Sequence, residues 1–166
     1  MSPFVESRRG SRILMFWLLA GLVVLLDQAT KAAVRVVSPT TGYMGTLIPH
    51  LIDLVHVENT GAAFSIGEGA GSLFVIVALV VACAAFFFIC TNDVPMSLTI
   101  SMACVVGGGL GNMVDRLMRG SVTDFIATAF MDFPVFNVAD IAVTCGIVMS
   151  FIGYIMWERS LPPEER

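Results

Sequence analysis

Charge is scarce in this chain. Only 13% of its 166 residues are Asp, Glu, Lys or Arg, against about a quarter in a soluble domain. With 57% hydrophobic residues and a mean hydropathy of +0.87, that shortage excludes a soluble globular fold and leaves little room for a separate soluble domain. A basic surface is missing too. The net charge is −4 and no stripe of Lys and Arg runs along the chain, so nucleic acid is not an expected partner. Histidine is nearly absent: His50 and His56 are the only two. No H-E-x-x-H surrounds them, which excludes that kind of zinc peptidase, and both are expected on the surface of an outer strand region. There is no G-x-S-x-G for a serine hydrolase, and the glycines at 107–111 lack the following Lys-Ser/Thr of a phosphate loop. No metal or cofactor is expected. The four cysteines, Cys83, Cys90, Cys104 and Cys145, form no C-x-x-C and no zinc spacing. They read as small buried hydrophobes rather than as a disulfide framework.

What is present is a set of long apolar runs. A helix needs about 20 mostly apolar residues to cross a bilayer. Residues 13–33, 73–90, 96–114 and 138–157 qualify or come close. They predict a membrane all-α bundle of four transmembrane helices with a small extracytoplasmic β-element, in one domain spanning 1–166. Arg8, Arg9 and Arg12 precede the first run, but the run continues without a small-x-small cleavage site, so it is expected to be a retained span and not a removable signal. Thr91-Asn92-Asp93-Val94-Pro95 reads as a tight hairpin between spans two and three. Segments 34–72 and 115–137 then fall on one side of the membrane. Arg8, Arg9, Arg12, Arg159 and Arg166 lie on the side of the termini, against Lys31, Arg35, Arg116 and Arg119 on the other. That bias, five against four, places both termini in the cytoplasm and both long segments outside. Within the first segment, residues 47–57 read as one or two strands, followed by a turn at Asn59-Thr60-Gly61. Tyr154 and Trp157 suit the interface at the far end of span four.

The few charges stand inside or at the ends of these spans, and a charge at mid-bilayer costs about 2.5–3.5 kcal/mol on insertion scales. Asp27 and Lys31, four apart with the acid first, share a helix face and are expected to pair. Asp115 and Arg116 follow span three and, being adjacent, point in different directions; Asn112 shares the face of Asp115. Gly107 and Gly111 form a G-x-x-x-G pair that permits close helix packing. Asn137 suits the N-cap of span four, which puts Asp140 near the third helical position, where the helix's positive end favours a carboxylate. Asp124 sits in Ser121-Val122-Thr123-Asp124-Phe125, as a turn residue or as a member of a site. Were Asp124 and Asp140 to meet, their pKa values would split, leaving one base and one acid at neutral pH. Such a pair can activate water and protonate a leaving nitrogen. Two other readings stay open at this point: a transporter whose polar groups line a path, and a scaffold whose polar groups glue helices. A relay would string ionisable groups through the bilayer depth, whereas here they cluster at one end of the spans.

Four blocks of these residues resemble a known family. Asp27-Gln28-Ala29-Thr30-Lys31 is similar to D-Q-x-x-K, and Asn59-Thr60-Gly61-Ala62-Ala63-Phe64-Ser65 to N-x-G-A-A-F-S. The stretch from Gly107 through Gly111, Asn112, Asp115 and Arg116 resembles G-G-x-x-G-N-x-x-D-R and continues through Gly120, Val122, Asp124 and Phe125 as G-x-V-x-D-F. Phe136-Asn137-Val138-Ala139-Asp140 resembles F-N-x-A-D. In this order they resemble lipoprotein signal peptidase, the bacterial aspartyl peptidase also called signal peptidase II. The resemblance implies that Asp124 and Asp140 form the catalytic dyad. It implies a substrate as well, a prolipoprotein cut just before a diacylglyceryl-modified Cys, and it implies a hydrolase of the bacterial inner membrane that uses no metal. Asp27, Lys31, Asn59, Gly61, Asn112, Asp115, Arg116, Asn137 and Ala139 are the expected substrate-binding or site-supporting residues. The expected partners are the lipidated prolipoprotein and membrane lipid, with the chain a monomer.

Overall fold

The computed structural model describes residues 3–61 and 71–162. Residues 62–65 of the second sequence block lie outside the described residues, as does the C-terminal end from 163 with Arg166. Four helices form: α1 (Pro3–Val37), α2 (Gly71–Thr91), α3 (Met96–Arg119) and α4 (Val138–Ser160). All four contain a stretch long and apolar enough to cross a membrane. Each outruns the apolar run that predicts it; at the end of α3 the helix continues through Asp115 and Arg116, whose charges find partners inside the protein. Asp115 and Arg116 therefore lie inside α3 and not beyond it.

The helix ends follow local chemistry. Pro95 precedes α3, where a missing N–H costs nothing. At α4, the Asn137 side chain accepts from the Asp140 N–H, and the Asp140 side chain accepts from the Asn137 N–H, a reciprocal cap. Helix α3 packs against α1, α2 and α4. Phe16, Ile89, Leu98 and Val106 are buried along these seams. Leu18, Leu25, Val80, Phe87 and Phe151 stay exposed on the outer faces, which suits a surface solvated by lipid chains. The four cysteines depart from expectation. Cys83 and Cys145 are exposed and Cys90 and Cys104 only half-buried. In a bilayer an apolar residue need not face inward to leave water.

Three strands, β1 (Gly42–Ile48), β2 (Ile52–Asn59) and β3 (Val122–Thr128), make an antiparallel sheet in the order β1-β2-β3. The first two form a hairpin with Pro49 in its turn; β2 overlaps the 47–57 stretch predicted as strand, whereas β1 begins earlier, at Gly42. The third stands where the sequence predicts loop or turn; its Val-Thr-Asp-Phe-Ile alternation is short, and its pairing comes from β2, some 65 residues away along the chain. Beyond β3 a single bridge joins Ile126 to Phe136. The sheet therefore sits at one end of the bundle, over the C-terminal ends of α1 and α3 and the N-terminus of α4. At the other end, Arg12 of α1 pairs with Asp93 in the α2–α3 turn.

Close backbone approach at two glycines sets the site's floor. A Cβ on Gly108 would lie 2.4 Å from the Ala139 carbonyl oxygen, and one on Gly111 would lie 2.6 Å from Asp27 Oδ2. The G-x-x-x-G stretch thus works as the close-packing element expected. Gly108→Ala is expected to push back the first turn of α4, which carries Asp140, and to cost about 1–3 kcal/mol. Thermal unfolding in detergent checks this; an unchanged midpoint would show that α4 yields freely.

Candidate active site

Behind the site lies a fully buried ion cluster. Lys31 Nζ is 2.9 Å from Asp27 Oδ2 and 2.9 Å from Asp115 Oδ2, and all three side chains are at most 1% exposed. The (i, i+4) pair on α1 expected from spacing is therefore a triad that ties α1 to α3. Gln28 Nε2 donates to Asp27 Oδ2 (3.1 Å) and to the Gly111 carbonyl (3.1 Å). Asp27 Oδ1 accepts from the Ala139 N–H at 3.1 Å, so a carboxylate of α1 also satisfies an otherwise free donor at the N-terminus of α4.

Lys31 also faces the cleft side. Its Nζ donates to Asn112 Oδ1 at 2.7 Å. That contact fixes the Asn112 amide, whose Nδ2 donates to Asp140 Oδ1 at 2.8 Å. Asp140 Oδ2 accepts from the Asn137 N–H at 3.0 Å. On the sheet side, Asp124 Oδ2 accepts from Asn59 Nδ2 (2.9 Å) and Oδ1 from Asn137 Nδ2 (2.6 Å). Asn137 thus touches both carboxyl groups, one through its side chain and one through its backbone. Its burial is complete, so its orientation is set: Oδ1 caps α4 and Nδ2 reaches Asp124. Adjacent Asp115 and Arg116 part company as expected. Asp115 turns to Lys31, while Arg116 Nη2 donates to the Gly61 carbonyl at 2.8 Å and its guanidinium lies 4.8 Å over the Phe74 ring. Asn59 Oδ1 accepts from the Gly61 N–H at 2.9 Å, which forms the expected turn.

Asp124 and Asp140 line one cleft of about 520 Å³, with Asn59, Gly61, Asn112 and Arg116 beside them and Phe133, Val143 and Thr144 among its walls. Apolar walls around a few converging polar groups suit a substrate with lipid and peptide parts. Burial pushes the Asp124 carboxyl up to about 6; neighbouring Asp140 adds to the rise, while the Asn59 and Asn137 amides and Lys31 oppose it. This is a carboxylic acid able to hold its proton close to neutrality.

The model of the signal peptidase (SPase) II family matches residues 19–156, which include all of these groups. The chain belongs to the signal peptidase II family. A lipoprotein signal peptidase of Enterococcus faecalis is 32% identical over 149 residues, covering 89% of this chain and 92% of that protein. One from Latilactobacillus sakei is 33% identical over 148 residues, covering 88% and 97%. A bacterial membrane enzyme solved by the in meso method at 2.3 Å resolution superimposes with a TM-score of 0.78 at 30% identity, over 85% of this chain and 87% of that one. As a member of that family with four helices able to cross a membrane, the chain is a multi-pass membrane protein and a protease.

Every site residue expected from the sequence lies in one connected network. Two tiers separate within it. Asp124, Asp140, Asn59, Gly61, Asn112 and Arg116 face the cleft; Asp27, Lys31, Asp115 and Ala139 hold it from behind, and Asn137 links them. Gln28, Arg35, Glu58 and Thr123 join the network unanticipated. Strand alternation around Asp124 was the signal available for Thr123. His56 is a correction: it is 4% exposed, not a surface residue, because Ser38 and Glu58 satisfy its ring nitrogens at 2.7 and 3.0 Å.

Proposed function

We propose that this chain is an aspartic peptidase in which Asp124 and Asp140 are the catalytic pair, acting at the outer face of the bacterial inner membrane. As a member of its family it removes signal peptides from prolipoproteins by cleaving before the lipidated Cys. One observation carries the finer reading: two carboxyl groups from different elements line the same cleft, and the amide side chain and backbone of a single buried residue, Asn137, hold both.

The environments differ in a way that divides the roles. Asp140 sits at the N-terminal turn of α4, where its two oxygens accept from the Asn112 amide and the Asn137 N–H, and it is the base of the pair. Asp124 is the buried, proton-retaining partner. Ionised Asp140 takes a proton from a water molecule whose oxygen attacks the scissile carbonyl. Protonated Asp124 gives its proton to the amide nitrogen as the C–N bond breaks. The proton gained by Asp140 then passes back to Asp124 and restores the pair. Arg116, over Phe74 and beside Gly61, is placed to fix the substrate backbone. The apolar walls take the acyl chains of the modified Cys, and the cleft lies at the end of the bundle remote from the start of α1 and the end of α4. Asp124, Asp140 and the amides that hold them come from one chain, which supports a monomeric enzyme.

The test is cleavage of a diacylglyceryl-modified prolipoprotein in detergent, with kcat/KM followed against pH. kcat/KM reports the free enzyme. Because protonated Asp124 is the acid, kcat/KM is expected to fall as pH rises through about 6. The limb in kcat should lie higher, since bound lipid and peptide bury Asp124 further. A kcat/KM that climbs through pH 6 to an alkaline plateau would reverse the acid and base assignments.

A further inference from the structure

Between Leu54 and Val57 the pairing of β2 with β3 changes register. Leu54 lies opposite Ile126, yet Val57 lies opposite Asp124. Val55 and His56 therefore face Phe125 alone, a β-bulge. Side chains alternate along a strand, so one extra residue exchanges the faces of everything beyond it. As built, Asn59 lies opposite Val122 and Glu58 opposite Thr123. Asn59 then shares the face of Asp124 and donates to its Oδ2 at 2.9 Å. Glu58 points to the other face, where Ser121 Oγ (2.5 Å) and Thr123 Oγ1 (3.0 Å) donate to its carboxylate. Had the register at Leu54 run straight on, Glu58 would fall opposite Val122, on the face of Asp124, and Asn59 opposite Ser121. A third carboxylate would stand where an amide donor is needed.

The bulge is pinned from the far face of the sheet. Buried His56 is one of its two residues. Its Nδ1 lies 2.7 Å from the Ser38 carbonyl oxygen, just after α1, and its Nε2 lies 3.0 Å from Glu58 Oε1. Carbonyl and carboxylate are both acceptors, and each of the two ring nitrogens reaches one of them. Arg35 of α1 adds a bond to Thr123 Oγ1 at 2.9 Å. Burial raises the pKa of Glu58, but the bonds from Ser121, His56 and Thr123 outweigh it and hold the carboxyl below its ordinary value.

We propose that His56 and Glu58 are positioning residues, which lock the β2 bulge in the register that sets Asn59, and not Glu58, against Asp124. The proposal rests on the assignment of Asp124 to the catalytic pair. Neither lines the cleft; they act through Asn59.

The experiment compares His56→Leu, His56→Gln and Glu58→Leu with Asp124→Asn and Asp140→Asn, in the full chain, on a diacylglyceryl prolipoprotein. His56→Leu and Glu58→Leu are expected to lower kcat about tenfold, as loss of one hydrogen bond to a charged group does. KM should stay within about twofold, the signature of a defect in the chemical step. The alkaline limb of kcat/KM should move to higher pH, because Asp124 loses an amide that favours its ionised form. His56→Gln offers two donors from one NH₂ group and is expected to retain most of the turnover. Unchanged kcat per folded molecule and an unmoved limb, with only the thermal midpoint lowered, would overturn the proposal. So would a His56→Gln as impaired as His56→Leu. Glu58 is a third exposed on its side chain (33%), so its variant decides the matter even where His56→Leu yields no folded protein. Cleavage surviving in Asp124→Asn or Asp140→Asn sinks the catalytic pair itself; an inactive pair beside a normal Glu58→Leu sinks only the register pin.

Discussion

Asp124→Asn and Asp140→Asn are each expected to cut turnover of a lipidated prolipoprotein by on the order of 10³-fold or more, about 4 kcal/mol in the barrier. Asn keeps the size of the side chain and removes its capacity to carry a proton. Both oxygens of Asp124 accept from amide donors, Asn59 and Asn137. An amide in its place can satisfy only one of them and sets its own NH₂ against the other. The same holds at Asp140, between Asn112 and the Asn137 N–H. Each variant should therefore lose about 1–3 kcal/mol of stability from the unmet contact, well short of unfolding. Because the two groups act on one proton, the double variant should be scarcely slower than either single one. Single-turnover cleavage, scaled to folded protein, measures this. More than a tenth of wild-type turnover in either single variant would mean that another group moves the proton.

Removal of the Lys31 ammonium should have the largest effect on folding. Lys31→Met keeps most of the stem but leaves Asp27 and Asp115 facing each other in a pocket with no exposure to solvent. Breaking a buried ion pair from one side costs about 3–5 kcal/mol, since the abandoned charge stays desolvated. For a chain of this length that is a fall of about 6–20 °C in the thermal midpoint. Arg35, 3.6 Å from Asp115 Oδ1, relieves part of the loss. The combined change Lys31→Met, Asp27→Asn and Asp115→Asn should cost less than Lys31→Met alone, because no unpaired charge remains. Trp17 and Trp157 provide a fluorescence signal for unfolding. A Lys31→Met midpoint equal to wild type would show that the two carboxyls hold protons of their own and need no cation. What folds of Lys31→Met should also turn over slowly, as Asn112 loses the contact that aims it at Asp140.

The tie between Lys31 and both carboxylates shows where sequence reading stopped. The four-residue spacing of Asp27 and Lys31 placed them on one helix face. Nothing in that spacing brought Asp115 to the same ammonium, because that meeting depends on how closely α1 and α3 approach at Gly111. Likewise, the Asn137 cap and the position of Asp140 were readable, since a cap is made by residues three apart. The reach of Asn137 Nδ2 to Asp124 was not, since it depends on the Ile126–Phe136 bridge that folds the loop back on β3. His56 was misplaced for the same kind of reason: a lone polar residue in a strand looks solvated until the carbonyl and carboxylate that satisfy it come from Ser38 and Glu58.

By itself the sequence determined the four spans, the end of them at which polar groups gather, and the residues able to carry proton chemistry. It could do so because the bilayer charges each residue a transfer cost that depends on its own type and on its near neighbours along the helix. Only the tertiary structure decided which carboxyls share a cleft, which amides hold them, and on which face of the sheet Asn59 stands. Those outcomes depend on contacts between segments far apart in the chain and on a one-residue bulge, and no local periodicity records either.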